Sequence, residues 1–188
     1  KESIYTFSSD SRKLSFHEKY GDVTNAYGKQ WIWWHKPENI NTQDPKSSFV
    51  NQIDYVINLL RTEPDSRRIL LSAWNPGELD KQMLPPCHYS FQCYSREFDG
   101  KRYLSLLWNQ RSGDMLLGIP WNLSFYALLL NMIAQVTNHI PDELIANIGD
   151  AHIYLNHIEQ VKEQLARKPY ELPTLELNKE ITNIFDFK

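Results

Sequence analysis

Positive charge is not in excess in this sequence: 20 Lys and Arg stand against 23 Asp and Glu, for a net charge of -3. That balance argues against a general surface for nucleic acid or anionic membranes, so neither DNA nor a membrane is an expected partner. Any phosphate binding has to come from a local cluster of cations. Cysteine is scarce. Cys87 and Cys93 are too few for a disulfide framework, and a reducing, cytoplasmic setting is expected. Long uninterrupted apolar runs are also missing. The nearest, over 116–136, is broken by Gly118, Pro120, Asn122, Asn131 and Gln135, and it is expected to be a buried helix rather than a membrane span. The opening Lys1-Glu2-Ser3-Ile4 mixes charges and does not have the form of a secretory leader. It has no initiator Met, so residues upstream are expected.

What is present suits a folded chain. Hydrophobic residues make up 41% and charged residues 23%, with only 7 Gly and 10 Pro. A length of 188 residues is enough for one domain with a real core and too short for two comfortable ones. Residues 1–49 are polar and irregular, apart from an aromatic cluster between Tyr27 and Trp34, and 36–48 reads as a surface loop. Phe49, Ile53, Val56, Ile57 and Leu60 recur at helical spacing, and Pro64 should stop that helix near Glu63. Residues 68–74 look like a buried strand. Alternating runs at 89–96 and 103–109, with Asp99-Gly100 between them, predict a hairpin. A strongly apolar helix is expected over 122–136. Strand-like sequence follows over 144–155, broken at Gly149-Asp150. An amphipathic helix over 156–167 has Asn156 as its N-cap and Glu159 at the capping-box position, with Pro169 beyond its end. One more strand is predicted at 172–177. These signals favour an α+β protein.

Two segments carry the chemistry. Leu84-Pro85-Pro86-Cys87-His88 presents a thiol after two stiffening prolines. Gln110-Arg111-Ser112-Gly113-Asp114 packs a cation, a hydroxyl and a carboxylate into five residues. Together they offer a nucleophile and an anion clamp. Cys87 is either a nucleophile with a thiol activated by cations such as Arg111, or a small buried hydrophobe. Cys93, in an alternating strand, is read as the latter. His88 need not touch Cys87, since neighbours on a strand face opposite ways; His152 or His157 is a possible distant base. Metal binding is not expected, because His152 and His157 miss the four-residue helical spacing and two cysteines are too few.

Arg67 and Arg68 are either a solvated pair or a phosphate fork. Asn122 either caps its helix or reads a base edge, since an amide both donates and accepts. His152 and Tyr154 would share a strand face, holding a hydroxyl or packing as satisfied core residues.

Taken together, these segments resemble the thymidylate synthase family. The matching stretches are Tyr27-Gly28-Lys29-Gln30-Trp31, Pro64-Asp65-Ser66-Arg67-Arg68, Ser72-Ala73-Trp74-Asn75, 84–88, 110–114, Leu117-Gly118-Ile119-Pro120-Trp121-Asn122 and 149–157. They run in family order from about residue 21 onward. The resemblance implies a three-layer α+β fold, with a mixed sheet packed against helices, as a single catalytic domain over 1–188. It implies a one-carbon transfer from 5,10-methylenetetrahydrofolate to C5 of dUMP, giving dTMP and dihydrofolate. In that scheme Cys87 adds to C6 of uracil, Tyr27 sits near it and His88 lies in the pocket beside the base. Gln110, Arg111 and Ser112 belong to the dUMP site, the last two on the phosphate. Arg67 and Arg68 serve the other subunit's phosphate, so a homodimer is implied. Asn122 reads uracil, and His152 with Tyr154 takes the deoxyribose hydroxyl. Asp114 faces the pterin of the reduced folate, with Trp74, Asn75 and Gly118 on the same cofactor side.

Departures from the family pattern set further expectations. The N-terminal arginine loop and catalytic glutamate of the family cannot be placed, nor can its C-terminal closing segment, so the chain is expected to be a fragment or a shortened relative. Lys19 stands near an expected aromatic, Asn109 where tyrosine is common, and Trp121 for the usual phenylalanine. The changes over 16–20 favour, as an alternative, a dUMP hydroxymethylase that adds water in place of hydride. Asn122 argues against a deoxycytidylate enzyme. A non-catalytic nucleotide-binding paralogue is the third reading.

Overall fold

The computed structural model describes residues 26–36, 49–82 and 84–188. The changes over 16–20 and most of the loop expected at 36–48 lie outside the described residues. The described chain starts with α1 (Tyr27–Ile32), whose exit leads into a short antiparallel ribbon of β1 (Trp34–His35) and β2 (Phe49–Val50). Helix α2 (Gln52–Thr62) follows because Asn51 caps it, its side-chain oxygen accepting from the N–H groups of Ile53 and Asp54. Ile53, Val56, Ile57 and Leu60 form its buried stripe, and it stops at Glu63, one residue before Pro64, as predicted.

Among the described residues, four strands form the main sheet in the order β3 (Leu70–Ser72), β4 (His88–Phe98), β5 (Lys101–Asp114), β6 (Ile140–His152). β3/β4 and β4/β5 are antiparallel. The predicted hairpin is present, and its turn residues Asp99 and Gly100 have φ of 51° and 67°. Both central residues of a two-residue type I′ turn need positive φ, which Gly and Asp tolerate. β6 runs parallel to β5, so the connection must cross over, and α3 (Gly118–Val136) is that crossover. The sheet is therefore mixed and packed against helices, as the α+β expectation required.

The core lies between one sheet face and the helices. Phe91 and Cys93 of β4, and Leu104, Leu106 and Trp108 of β5, meet Val56 and Leu60 of α2 and Tyr126, Leu130 and Ile133 of α3. Trp108 and Tyr126 stack at 5.0 Å. Against expectation, α3 is long and apolar enough to cross a membrane by length and composition. Here one face is buried against the sheet, and its early Pro120 is accommodated because first-turn N–H groups have no helical partner.

Three local expectations are corrected. β6 passes unbroken through Gly149-Asp150, since pairing with Ser112 and its neighbours on β5 overrides two turn-forming residues. Asn156 is not a cap. It lies inside a 3-10 turn (Leu155–His157), and α4 (Ile158–Ala166) starts after His157. Residues 172–177 pair with no strand among the described residues. The chain just beyond them is fastened by side chains instead: Gln135 Nε2 donates to the carbonyls of Asn178 and Ile181, and the Arg61 guanidinium to those of Val136 and Thr182.

Candidate active site

Cys87 is half-buried at the entrance to β4, where His88 pairs with Gln110 across the hairpin. The N–H of Arg111 donates to the Cys87 carbonyl at 2.8 Å, which brings the two sequence motifs together. The preceding prolines supply carbonyls but no N–H, and Arg111 uses both: Nε donates to Pro86 O and Nη2 to Pro85 O, each at 2.9 Å. The guanidinium also sits 5.8 Å from the centre of the Trp74 ring. Its remaining donors, Nη1 among them, are available to an anion beside the thiol.

The Cys87 N–H donates to the Tyr27 hydroxyl at 2.7 Å. Burial holds the Tyr27 phenol above its ordinary range, partly offset by that bond. The Tyr27 ring stacks on His88 at 4.2 Å and 11°. On the other side, His88 Nδ1 meets the Tyr126 hydroxyl at 2.7 Å. Burial pushes His88 down to about 4, so the ring is neutral near pH 7 and serves as a packed, hydrogen-bonding surface beside the thiol. Tyr126 was invisible as a site residue in the sequence; a hydroxyl in the middle of an apolar helix was its only signal. Cys93 is 2% exposed and pushed up to about 12 by burial, which fits its reading as a core residue.

Gln110 is 3% exposed and fully engaged. Its Nε2 donates to Asn122 Oδ1 at 3.0 Å and to Ser112 O at 2.9 Å, and its Oε1 accepts from Trp108 Nε1 at 3.2 Å. Gln110 therefore stands behind Asn122 and orients it rather than facing a ligand. Asn122 does not cap α3. The cap position is Leu117, and Asn122 lies a full turn inside the helix.

At the far end of β5, Asp114 pairs in register with His152, and Met115 N–H donates to His152 O at 2.9 Å. Asp114 Oδ1 accepts from Leu116 N–H at 3.1 Å. A Cβ on Gly118 would lie 3.3 Å from the Asp114 Cβ, so Gly118 permits the close approach of α3 to this carboxylate. His152 and Tyr154 do come together, rings edge to face at 5.1 Å, and His152 Nδ1 reaches Asp150 at 3.2 Å. His152 is four residues along β5/β6 from the Gln110 level, about 13 Å, which removes it as a base for Cys87. Ser112 shares the strand between these two ends.

Trp74 and Asn75 leave β3 together. Asn75 Oδ1 caps the 3-10 turn Pro76–Lys81 and its Nδ2 donates to Gln30 Oε1 at 3.1 Å. Gln30 in turn donates to Glu78 at 2.7 Å, and Lys29 reaches Glu78 at 3.3 Å. Asn75 was expected on the cofactor side, whereas Lys29 and Gln30 were read only as part of a matching stretch and Glu78 was not singled out from the sequence.

Arg67 and Arg68 are not brought to Cys87 of their own chain. They precede β3, whose Leu70 pairs with Gln92, so they lie beyond the level of Gln92 on β4, more than about 16 Å from its Cys87 end. Both are exposed.

A family profile described as thymidylate synthase matches residues 4–188. A thymidylate synthase of Mycoplasma mobile (strain ATCC 43663 / 163K / NCTC 11711) is 49% identical over 173 residues, covering 92% of this chain and 54% of that protein. The chain thus spans about half the length of the curated relative it matches. On this match, across nearly its whole length, the chain belongs to the thymidylate synthase family.

Proposed function

We propose that the chain carries the nucleotide-binding and nucleophilic part of an enzyme that methylates dUMP. The observation that supports this most is the meeting of Cys87, Arg111 and the Gln110-oriented Asn122 at one end of the hairpin. A cation, a thiol and a base-edge amide brought together at one end of the sheet suit a pyrimidine nucleotide.

In this reading the Cys87 thiolate adds to C6 of uracil, and the ring electrons move to make C5 an enolate carbon. C5 attacks the methylene carbon of 5,10-methylenetetrahydrofolate, and the C5 proton leaves. Loss of that proton and of the folate leaves an exocyclic methylene on C5 with the sulfur still on C6. Hydride from the tetrahydrofolate adds to the methylene, and the electron pair this returns to C5 re-forms the C5–C6 double bond and expels the Cys87 thiolate. The products are dTMP and dihydrofolate. Arg111 and Ser112 hold the phosphate, His152 and Tyr154 the deoxyribose hydroxyl, and Asp114 faces the pterin with Trp74, Asn75 and Gly118 nearby. A free thiol nucleophile suits a reducing compartment such as the cytoplasm.

A homodimer with shared sites fits two features. The outward sheet face exposes Leu70, Tyr94 and Ile145, an apolar patch of the kind that subunits cover. Arg67 and Arg68, distant from their own Cys87, are available to a neighbour. The hydroxymethyl alternative rested on 16–20, and no feature of the described site favours it or a non-catalytic role.

The test is the product from dUMP and 5,10-methylenetetrahydrofolate, identified by mass spectrometry together with dihydrofolate absorbance. A methylated nucleotide with dihydrofolate is expected, and Cys87→Ala should abolish it while dUMP affinity stays within about tenfold. Turnover by Cys87→Ala near the wild-type rate would remove the proposal.

A further inference from the structure

The turn that carries Arg67 and Arg68 is held by a residue outside every motif considered so far. Arg102, in the distal part of the β4/β5 hairpin, places both prongs of its guanidinium on the two oxygens of Asp65, Nη1 on Oδ1 and Nη2 on Oδ2, the latter at 3.2 Å. Nη2 also lies 3.4 Å from Glu97, and Nη1 3.5 Å from the Ser95 hydroxyl. Ser95 is itself anchored inside the protein. Its Oγ meets His139 Nε2 at 3.0 Å, and His139 Nδ1 meets Thr137 Oγ1 at 2.9 Å. A chain of polar contacts therefore runs from the core, through Ser95 and Arg102, to Asp65, which is 76% exposed in its side chain.

Asp65 sits two residues from Arg67 and three from Arg68. Within the turn, Ser66 N–H donates to Glu63 O and Arg68 N–H to Ser66 Oγ, so fixing Asp65 fixes the backbone that presents both arginines. A fork on a carboxylate sets its plane as well as its position, which an ammonium would not do. The pairing has a second effect. With Arg102 on its carboxylate, Asp65 is engaged away from Arg67 and Arg68; Arg68 Nη2 instead lies 3.9 Å from Glu63 at the rim of the turn, and both arginines stay exposed.

We propose that Arg102 is a positioning residue for nucleotide binding: by clamping Asp65 it sets the 64–68 turn so that Arg67 and Arg68 reach the phosphate of dUMP held by a second copy of this chain. The inference rests on the shared-site reading above. Its effect belongs to substrate binding in the neighbouring site, not to chemistry in its own.

Mixed dimers of differently tagged subunits test it. In a dimer of wild type with Cys87→Ala/Arg102→Ala, the working thiol is in the wild-type subunit, and the variant subunit supplies the turn. KM for dUMP should rise about tenfold with kcat within about twofold. In a dimer of Arg102→Ala with Cys87→Ala, the working thiol receives its turn from an intact Arg102 subunit, and KM should be that of wild type. Asp65→Asn, at an exposed side chain, should reproduce the Arg102→Ala pattern if the latter folds poorly, and Arg102→Lys should restore only part of the affinity. The same pairings with Arg68→Ala report on the shared site itself. If Arg68→Ala acts across subunits and neither Arg102→Ala nor Asp65→Asn does, the clamp is overturned and the shared site stands. If Arg68→Ala acts only within its own subunit or not at all, the shared site falls and takes the proposal with it.

Discussion

Gln110 Nε2 donates to Asn122 Oδ1 at 3.0 Å, and that single contact decides which way the Asn122 amide faces. Gln110 has no freedom to turn over, because its own oxygen accepts from Trp108 Nε1. The oxygen of Asn122 is thus held toward Gln110 and its NH2 is presented outward as a donor. A uracil edge offers O4 to that donor, whereas a cytosine edge offers an amino group there. In the proposed reading, discrimination between the bases would follow from the hydrogen-bond polarity of buried Gln110, one layer behind Asn122.

The first prediction concerns that polarity. In Asn122→Asp the carboxylate still accepts from Gln110 but presents an acceptor where a donor stood. O4 of uracil then faces an oxygen, and the lost pairing costs roughly 1–3 kcal/mol. The ratio of kcat/KM on dUMP to that on dCMP should fall by about tenfold to a hundredfold. A ratio unchanged from wild type would mean that the base is read elsewhere.

Arg111→Lys should be severe although it conserves charge. A lysine offers a compact ammonium on a flexible stem and cannot hold the carbonyls of Pro85 and Pro86 in one plane while also meeting a phosphate. We expect kcat/KM for dUMP to drop about a hundredfold, an effect of about 2.7 kcal/mol, with much of it in dUMP affinity measured by calorimetry. An affinity equal to wild type would show that Arg111 acts only on the loop.

How much of this was legible in the sequence divides along the range of the interactions. The α2 stripe with its stop at Pro64 and the Asp99-Gly100 hairpin depend on near neighbours and could be read directly, and the Cys87 and Arg111 motifs are each short local strings, although the contacts that join them span 24 to 26 residues. Gln110 as an orienting group, Tyr126 behind His88 and Arg102 on Asp65 depend on partners 12, 38 and 37 residues away. No local pattern encodes such pairs. The errors have the same origin. Gly149-Asp150 carries a turn signature, but strand pairing with β5 outweighs it. Asn156 with Glu159 spells a capping box, yet the 3-10 turn moves the helix start past it.

Tyr27→Phe isolates the hydroxyl that accepts from the Cys87 N–H. The ring and its stacking on His88 are kept. Leaving a partly buried donor without its acceptor costs roughly 1–3 kcal/mol and loosens the backbone that aims the thiol. Turnover should fall about tenfold or more while dUMP affinity stays within about threefold, because the phosphate and base contacts do not involve Tyr27. A loss of affinity with turnover preserved would assign the hydroxyl to binding instead.

His88 makes a prediction about acid stability. Its imidazole is held neutral in the folded protein, with its pKa lowered by burial from 6.5 to about 4, whereas in the unfolded chain it protonates near 6.5. Between those values the unfolded state binds more protons than the native state, so stability falls as pH falls. The contribution is complete above about pH 6.5, declines by up to about 1.4 kcal/mol per pH unit below it, and levels off below about pH 4, for a total of about 3 kcal/mol. His139, lowered by burial as well, acts in the same direction, so the comparison has to remove one imidazole at a time. Urea unfolding of wild type and His88→Asn should therefore give curves whose separation changes by about 3 kcal/mol between pH 7 and pH 4, the wild type losing more. In the folded wild type, the His88 ring signals in a carbon–proton NMR titration should stay at their neutral positions from pH 8 down to about 5.5. Parallel pH profiles for the two proteins, or a His88 midpoint near 6.5, would place this imidazole in contact with solvent and break its assignment as a neutral wall of the thiol pocket.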